Sequence, residues 1–286
     1  MSAAIVIARL TVAEAMRRRT IWVLLGLTVV SVALTTWGVD RLVSLARAGG
    51  RDELSIFVAV AAILVLAAFM FSFVLAMTAA FLAAPAIATD LETGVAQAML
   101  ARPIRRTDLV VGRWLGLAFV VLAYALVSGL LEIFAIGQVS GYLPPKPLDA
   151  VLYLAAQSIV LLTVALLLST RLPAIASGAI CVVLFGLGWM AGVFATIGRY
   201  FDAGPLVTVA EASRWVLPSD GLWRGVINSL QPPIALLFGP GTPAGAVTEN
   251  PFFAPTPPPV EFLVWVVVWT VLVLGLASLS LERRDL

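Results

Sequence analysis

Few residues in this chain can do chemistry, and most of the usual ones are missing. There is no histidine, one cysteine (Cys181) and one lysine, Lys146, held between Pro145 and Pro147. A histidine-based zinc site, a histidine-containing catalytic triad and an internal disulfide are therefore excluded. A Walker A loop needs Gly-Lys-Ser/Thr behind a glycine-rich run, which Pro145-Lys146-Pro147 does not supply. Any nucleotide that drives this protein must be bound by another chain.

Two groups of residues keep informative types and spacing. The first lies in a polar stretch, 85–107, where Thr89 and Glu92 have the spacing of a capping box and predict a helix start. Leu91, Val95 and Met99 then repeat every four residues on one face, Pro103 ends the pattern, and Thr107-Asp108 opens the next element. The second is a single residue, Glu132, the one ionisable group within an otherwise apolar span. Such a group is a candidate for a substrate path, and an ordinary structural reading competes with it: the carboxylate snorkels or bonds to a neighbouring helix.

The elements that must position these residues follow from composition. With 61% hydrophobic and 12% charged residues and a mean hydropathy of +1.05, the chain does not suit a water-exposed surface. Stretches 20–39, 54–89, 114–131, 150–170, 172–198 and 262–281 carry no charge. Each can cross about 30 Å of hydrocarbon as a helix, and the alternation of a membrane β-barrel is missing. The expected fold is an all-α integral membrane protein with six transmembrane helices. A seventh charge-free stretch, 225–248, contains Asn228, Gln231 and four prolines and is read as part of an outer cap instead.

The arginines set the orientation. Arg9, Arg17, Arg18, Arg19, Arg102, Arg105, Arg106, Arg113, Arg171, Arg283 and Arg284 fall inside if the N-terminus is cytosolic, so both termini are predicted to be cytosolic. Residues 1–19 are too charged to span. Ile5, Ala8, Val12 and Met16 share a face there, Ile7 and Leu10 spoil the other, and an interfacial helix is expected. Residues 199–259 hold eleven of the seventeen prolines and form the expected extracytoplasmic cap. Within it Ser219 can cap a helix that gathers Leu222, Trp223, Val226, Ile227 and Leu230 on one face, as an interfacial helix would.

The polar stretch also carries a resemblance. Glu92-x-Gly94, Leu100-x-Arg102-Pro103, Arg106 and Gly112-Arg113 are similar to the pattern after the second span of ABC-2-type exporter permeases, with Arg113 standing where that family more often has lysine. The N-terminal helix, six spans and large insertion before the last one resemble that family too. The resemblance implies a single permease domain over 1–286, with a coupling helix in 85–107 that seats in a groove of an ATPase. It assigns Leu91, Glu92, Gly94, Val95, Met99, Arg102, Pro103 and Arg106 to ATPase coupling. The positive-inside rule alone would place the arginines there as lipid anchors, but it calls for neither Glu92 nor Gly94.

The expected function is the membrane subunit of an ATP-driven exporter in the cytoplasmic membrane, moving a hydrophobic or amphipathic compound. It has no catalytic residue, cofactor or metal of its own. ATP and magnesium would be bound by two partner ATPase subunits, and the further partners are a second permease copy or sister permease and the lipid bilayer, with no nucleic acid. A membrane-embedded enzyme is the rival from another class, but the spans hold no Asp, Lys, Arg or His and only Glu132, so no acid–base pair can be built. An ion- or proton-coupled carrier would need a relay of protonatable groups where one glutamate stands.

Overall fold

A computed structural model describes residues 3–17, 19–94, 105–232 and 251–284. Among them the secondary structure is helical, in ten helices: α1 (Ala3–Arg17), α2 (Arg19–Ala48), α3 (Glu53–Ala83), α4 (Pro85–Glu92), α5 (Arg106–Ser140), α6 (Pro147–Ser169), α7 (Ala174–Tyr200), α8 (Gly204–Val216), α9 (Ser219–Leu230) and α10 (Val260–Glu282). Six segments are long and apolar enough to cross a membrane: α2, α3 with its extension α4, α5, α6, α7 and α10. This is a multi-pass membrane protein. The spans follow the six charge-free runs, each lengthened at one or both ends to take in flanking charges. Asp52, for instance, accepts the Ser55 backbone N–H at 2.9 Å and starts α3, which holds its carboxyl below the usual carboxylate range.

The bundle is organised around α6, the most buried span, which packs on α3, α5, α9 and α10. Lipid tails are as apolar as leucine, so no hydrophobic force gathers these helices; close approach at small residues and interhelical hydrogen bonds do it. Ser72 of α3 donates to Gln157 of α6 at 2.9 Å, and Trp114 of α5 donates to Thr163 of α6 at 2.9 Å. Helix α2 lies along α5 at the periphery with most of its surface exposed, as are large apolar side chains of α7 and α10. These are surfaces for lipid or for other chains.

The N-terminal helix docks on a face that sequence spacing did not single out. Ala4, Ile7, Thr11 and Ala15 are buried, whereas Ile5 and Met16 of the expected apolar face are exposed. Ile7, which breaks the sequence pattern, is one of the contacts that seat the helix.

The segment between α7 and α10 departs most from expectation. The Ser219–Leu230 helix does carry Leu222, Trp223, Val226, Ile227 and Leu230 together, but all five are buried against the bundle rather than lying at an interface. Ser219 is the first residue of the helix, not its cap, which is Pro218. Helices α8 and α9 form a hairpin whose tip reaches into the level of the spans. The indole Nε1 groups of Trp265 and Trp269 donate to the backbone oxygens of Trp215 and Val216, at 2.9 Å each. Trp269 lies nine residues into α10, about 14 Å of helical rise. A turn at membrane depth needs such partners for its carbonyls, and the two tryptophans supply them. Of the 225–248 stretch, 225–230 completes α9 and 233–250 lie outside the described residues.

Candidate functional site

The polar stretch does not begin a new helix at Thr89. Helix α3 runs to Ala83, turns at Ala84, and continues as α4 from Pro85. Proline removes one N–H and crowds the preceding turn, so the chain kinks there without leaving helical geometry. The expected capping box is therefore corrected: Thr89 is inside α4, and its carbonyl accepts the Thr93 backbone N–H at 2.9 Å and the Thr93 hydroxyl at 2.7 Å. Glu92 is the last residue of α4 and caps nothing. Gly94 has φ +76, the left-handed geometry that closes a helix and that glycine adopts at least cost.

The assigned coupling residues thereby separate. Leu91 is half-buried and packs on the core, so it faces the bundle. Glu92 is exposed and makes no ion pair or hydrogen bond among the described residues. An acid in the last turn of a helix also opposes the helix dipole, so its placement does not serve α4. Val95, Met99, Arg102 and Pro103 lie outside the described residues. Arg106, at the start of α5, donates through Nη1 to the backbone oxygens of Leu281, Glu282 and Arg284, at 2.8 to 2.9 Å. It closes the C-terminal end of α10, whose last carbonyls have no partner within the helix.

About two turns further along α5, the Gly112-Arg113 pair joins three elements. A Cβ on Gly112 would stand 2.7 Å from Ala4 O and from Ile7 Cβ, and one on Gly116 2.7 Å from Ala8 O and Thr11 Cβ. The two glycines are thus the groove in which α1 lies. Beside them the Arg113 guanidinium donates to Glu14 of α1 at 2.7 Å and to Asp90 of α4 at 2.6 Å. Arg113 and Asp90 are largely buried, with side-chain exposures of 12% and 15%, while Glu14 is 47% exposed. One cation between two carboxylates ties the kinked end of the second span to the N-terminal helix and the third span. Asp90 and Glu14 were not singled out in the sequence; the acid two positions before Glu92 is the signal that points to the first.

Glu132 has a partner. Thr35 of α2 donates to its Oε1 at 2.5 Å, so the carboxylate bonds across to a neighbouring span. Two turns nearer the α1 end, Thr28 and Tyr124 share a 2.7 Å hydrogen bond between the same helices. Ser31 and Ser128 stand between these rungs, and all six polar residues line one cavity of about 330 Å³ bounded by α2, α3, α5 and α6. These partners of Glu132 were not singled out in the sequence; the polar residues recurring at helical spacing, at 28, 31 and 35 and at 124, 128 and 132, are the signal that points to them.

The hairpin tip holds a second set of charges. Arg214 of α8 donates to Asp220 Oδ2 at 2.6 Å, and Arg224, one turn along α9, lies 3.5 Å from the same oxygen. Ser219 and Asp220 press on Gly188 and Gly192 of α7: a Cβ on Gly192 would fall 2.0 Å from Asp220 Oδ1. The Gly188-x-x-x-Gly192 pattern is therefore a seam within the chain, as small-residue pairs in spans commonly are. Among the described residues no group of three or more His, Cys, Asp or Glu could hold a metal ion.

Six apolar spans, a helical extension carrying an exposed acid, an N-terminal helix laid across the third span and an insertion before the last make this a multi-pass membrane protein whose features agree with the family resemblance of its sequence. The family described as ABC-2 family transporter protein matches residues 5–286, nearly the whole chain. The protein belongs to that family and is an ABC-2 transporter permease subunit. Comparison with curated proteins gives no significant match.

Proposed function

We propose that the chain is the permease half of an exporter driven by two separate ATPase subunits, with both termini and α4 on the cytosolic side, and that it works as a pair with a second copy or a sister permease. The observation that carries this reading is the end of α4. Glu92 is exposed, unpaired within the described residues and placed where it does not help its own helix, while Gly94 ends that helix in a fixed left-handed turn. A partner contact gives Glu92 a purpose.

The Arg113 junction supports the same reading mechanically. A push on the end of α4 reaches Asp90 within one turn, and Arg113 passes it to α5 and, through Glu14, to α1. Arg106 couples the start of α5 to the end of α10. Leu91 holds α4 on the bundle, and Val95, Met99, Arg102 and Pro103, outside the described residues, are assigned to coupling by their place in the motif alone. Glu132 belongs to the substrate path, far from this junction. The compound moved is hydrophobic or amphipathic, and the movement is outward.

The test is reconstitution with the cognate ATPase. Glu92→Ala and Gly94→Val should lower ATP-dependent transport and permease-stimulated hydrolysis at least about tenfold while insertion is unchanged. A side chain with a Cβ at positive φ costs about 1–2 kcal/mol, enough to reshape the turn without unfolding the bundle. Gly94→Asn, which tolerates that geometry, should retain most activity. Unimpaired stimulation in both Glu92→Ala and Gly94→Val would remove the end of α4 from coupling.

A further inference from the structure

Helix α2 follows α5 closely and touches α3 little, which leaves a cleft between α2 and α3 floored by α5. Two cavities occupy that cleft. Toward the hairpin end is the 330 Å³ cavity with its six polar residues; toward the α1 end is one of about 560 Å³ whose lining includes Met16, Leu25, Phe81 and Phe119 and is almost entirely apolar. Tyr124 lines both, and its hydroxyl, bonded to Thr28, marks the boundary between them. Glu132 stands eight residues beyond Tyr124 on α5, about 12 Å of rise. The cleft is thus polar and acidic at one end and oily at the other, within a single protomer.

The charge balance of the polar end identifies what would fill it. An ionised carboxylate at membrane depth is costly unless a cation or several donors meet it. Thr35 supplies one hydrogen bond to Oε1, and among the described residues no arginine or lysine lines the cavity. The remaining polar lining is hydroxyl; Thr28 and Ser128 donate to Leu24 O and Tyr124 O, so their lone pairs face the cavity as acceptors for an ammonium head, and they bring no charge. The apolar end has the opposite character: it offers hydrocarbon contact and a single hydroxyl besides Tyr124, that of Thr78, whose hydrogen is already donated to Val74 O.

We propose that this cleft is a binding site for a cationic amphiphile, with its ammonium head at Glu132 between the Thr28-Ser31-Thr35 and Tyr124-Ser128 stripes and its hydrocarbon tail in the apolar cavity beside α1. The inference rests on the reading of the chain as a permease and names the substrate class of its Glu132 path. Tyr124 and Thr28 form the waist that a head group crosses on passing from the apolar to the acidic cavity. Their hydrogen bond opens to admit an ammonium group, which the hydroxyls and the tyrosine ring face can both solvate.

The site can be tested without the ATPase, so its failure is distinct from failure of the coupling reading. The full chain in nanodiscs of zwitterionic lipid is exposed to a tetradecyltrimethylammonium probe carrying a photoreactive diazirine at the tail end. A tetradecyl maltoside and a tetradecyl sulfate bearing the same group serve as controls. The ammonium probe should label peptides containing Phe81 and Phe119, at least about tenfold more at equal bulk concentration than either control, as one desolvated opposite charge allows. Glu132→Gln should abolish that preference, and Leu25→Trp, which fills the apolar cavity, should reduce labelling by all probes. Equal labelling by the three probes in the unaltered protein, or a preference that survives Glu132→Gln, overturns the proposal. So does label spread evenly over the lipid-facing surfaces of α7 and α10. If both variants fail to fold, Tyr124→Phe and Thr35→Val decide: they remove one hydrogen bond each and should lower the ammonium preference while leaving maltoside labelling unchanged, and no change in either refutes the site.

Discussion

Replacing Arg113 by glutamine removes the cation shared by α1, α4 and α5 and leaves two carboxylates behind. Their costs differ because their exposures differ. Asp90 is 15% exposed, and breaking a buried pair by deleting one partner costs about 3–5 kcal/mol when neither water nor another group compensates the remaining charge. Glu14 is 47% exposed and rehydrates, so its share is about 0–1 kcal/mol. Allowing for the water that still reaches Asp90, the junction should lose about 2–4 kcal/mol. At 1.4 kcal/mol per factor of ten, the lower bound multiplies local opening about 30-fold. Amide exchange in nanodiscs measures it: protection across α1 should fall at least that far, while α6 amides stay unchanged. Adding Asp90→Asn should restore part of the protection, because the largely buried carboxylate that lost this cation is then neutral. Unchanged α1 exchange in Arg113→Gln, or no recovery in the double variant, would refute the idea that this arginine holds the three helices together.

Two further outcomes are expected. Gly192→Leu should displace the α8–α9 hairpin, since its Cβ falls 2.0 Å from Asp220 Oδ1, and should shift the emission of Trp265 and Trp269 as their bonds to the hairpin tip break; Gly26→Leu, with no atom within 4 Å of its Cβ, should change neither. In a Cys181→Ala background, a cysteine at Ser44 should react with an impermeant thiol reagent in intact cells and one at Arg105 should not; the reverse pattern would invert the orientation.

The spans were legible because the constraint on them is blunt: each must bury its backbone polar groups and exclude charge over about 20 residues. The runs at 150–170 and 262–281 differ from α6 and α10 by a few residues at each end. The third span was less legible at its start, where α5 begins at Arg106 although charge-free sequence begins only at residue 114. Arg113 sits inside the helix because Glu14 and Asp90 neutralise it, and that pairing depends on α1 and α4 meeting across some 75 residues of chain. Gly94 was visible as a motif residue, but its neighbours suggested a helix beginning at Thr89. Pro85 decided otherwise, since proline suits the first turn of a helix and α3 supplied the preceding one. The hairpin was hidden for a different reason. Its polar tip reads as extramembrane, and only the tryptophans of α10, forty or more residues later, make a turn at that depth affordable.

We propose above that an ATPase engages this permease at the end of α4. A photoreactive p-benzoylphenylalanine placed at Glu92, with the cognate ATPase co-expressed, tests it most directly. A crosslink joining this chain to the nucleotide-binding chain is expected, changed in yield between nucleotide-free and ATP-bound states, and none from the same residue placed at Ser44 at the other end of the bundle. A Glu92 probe that crosslinks only to lipid or to its own chain, in a complex that hydrolyses ATP, would contradict it.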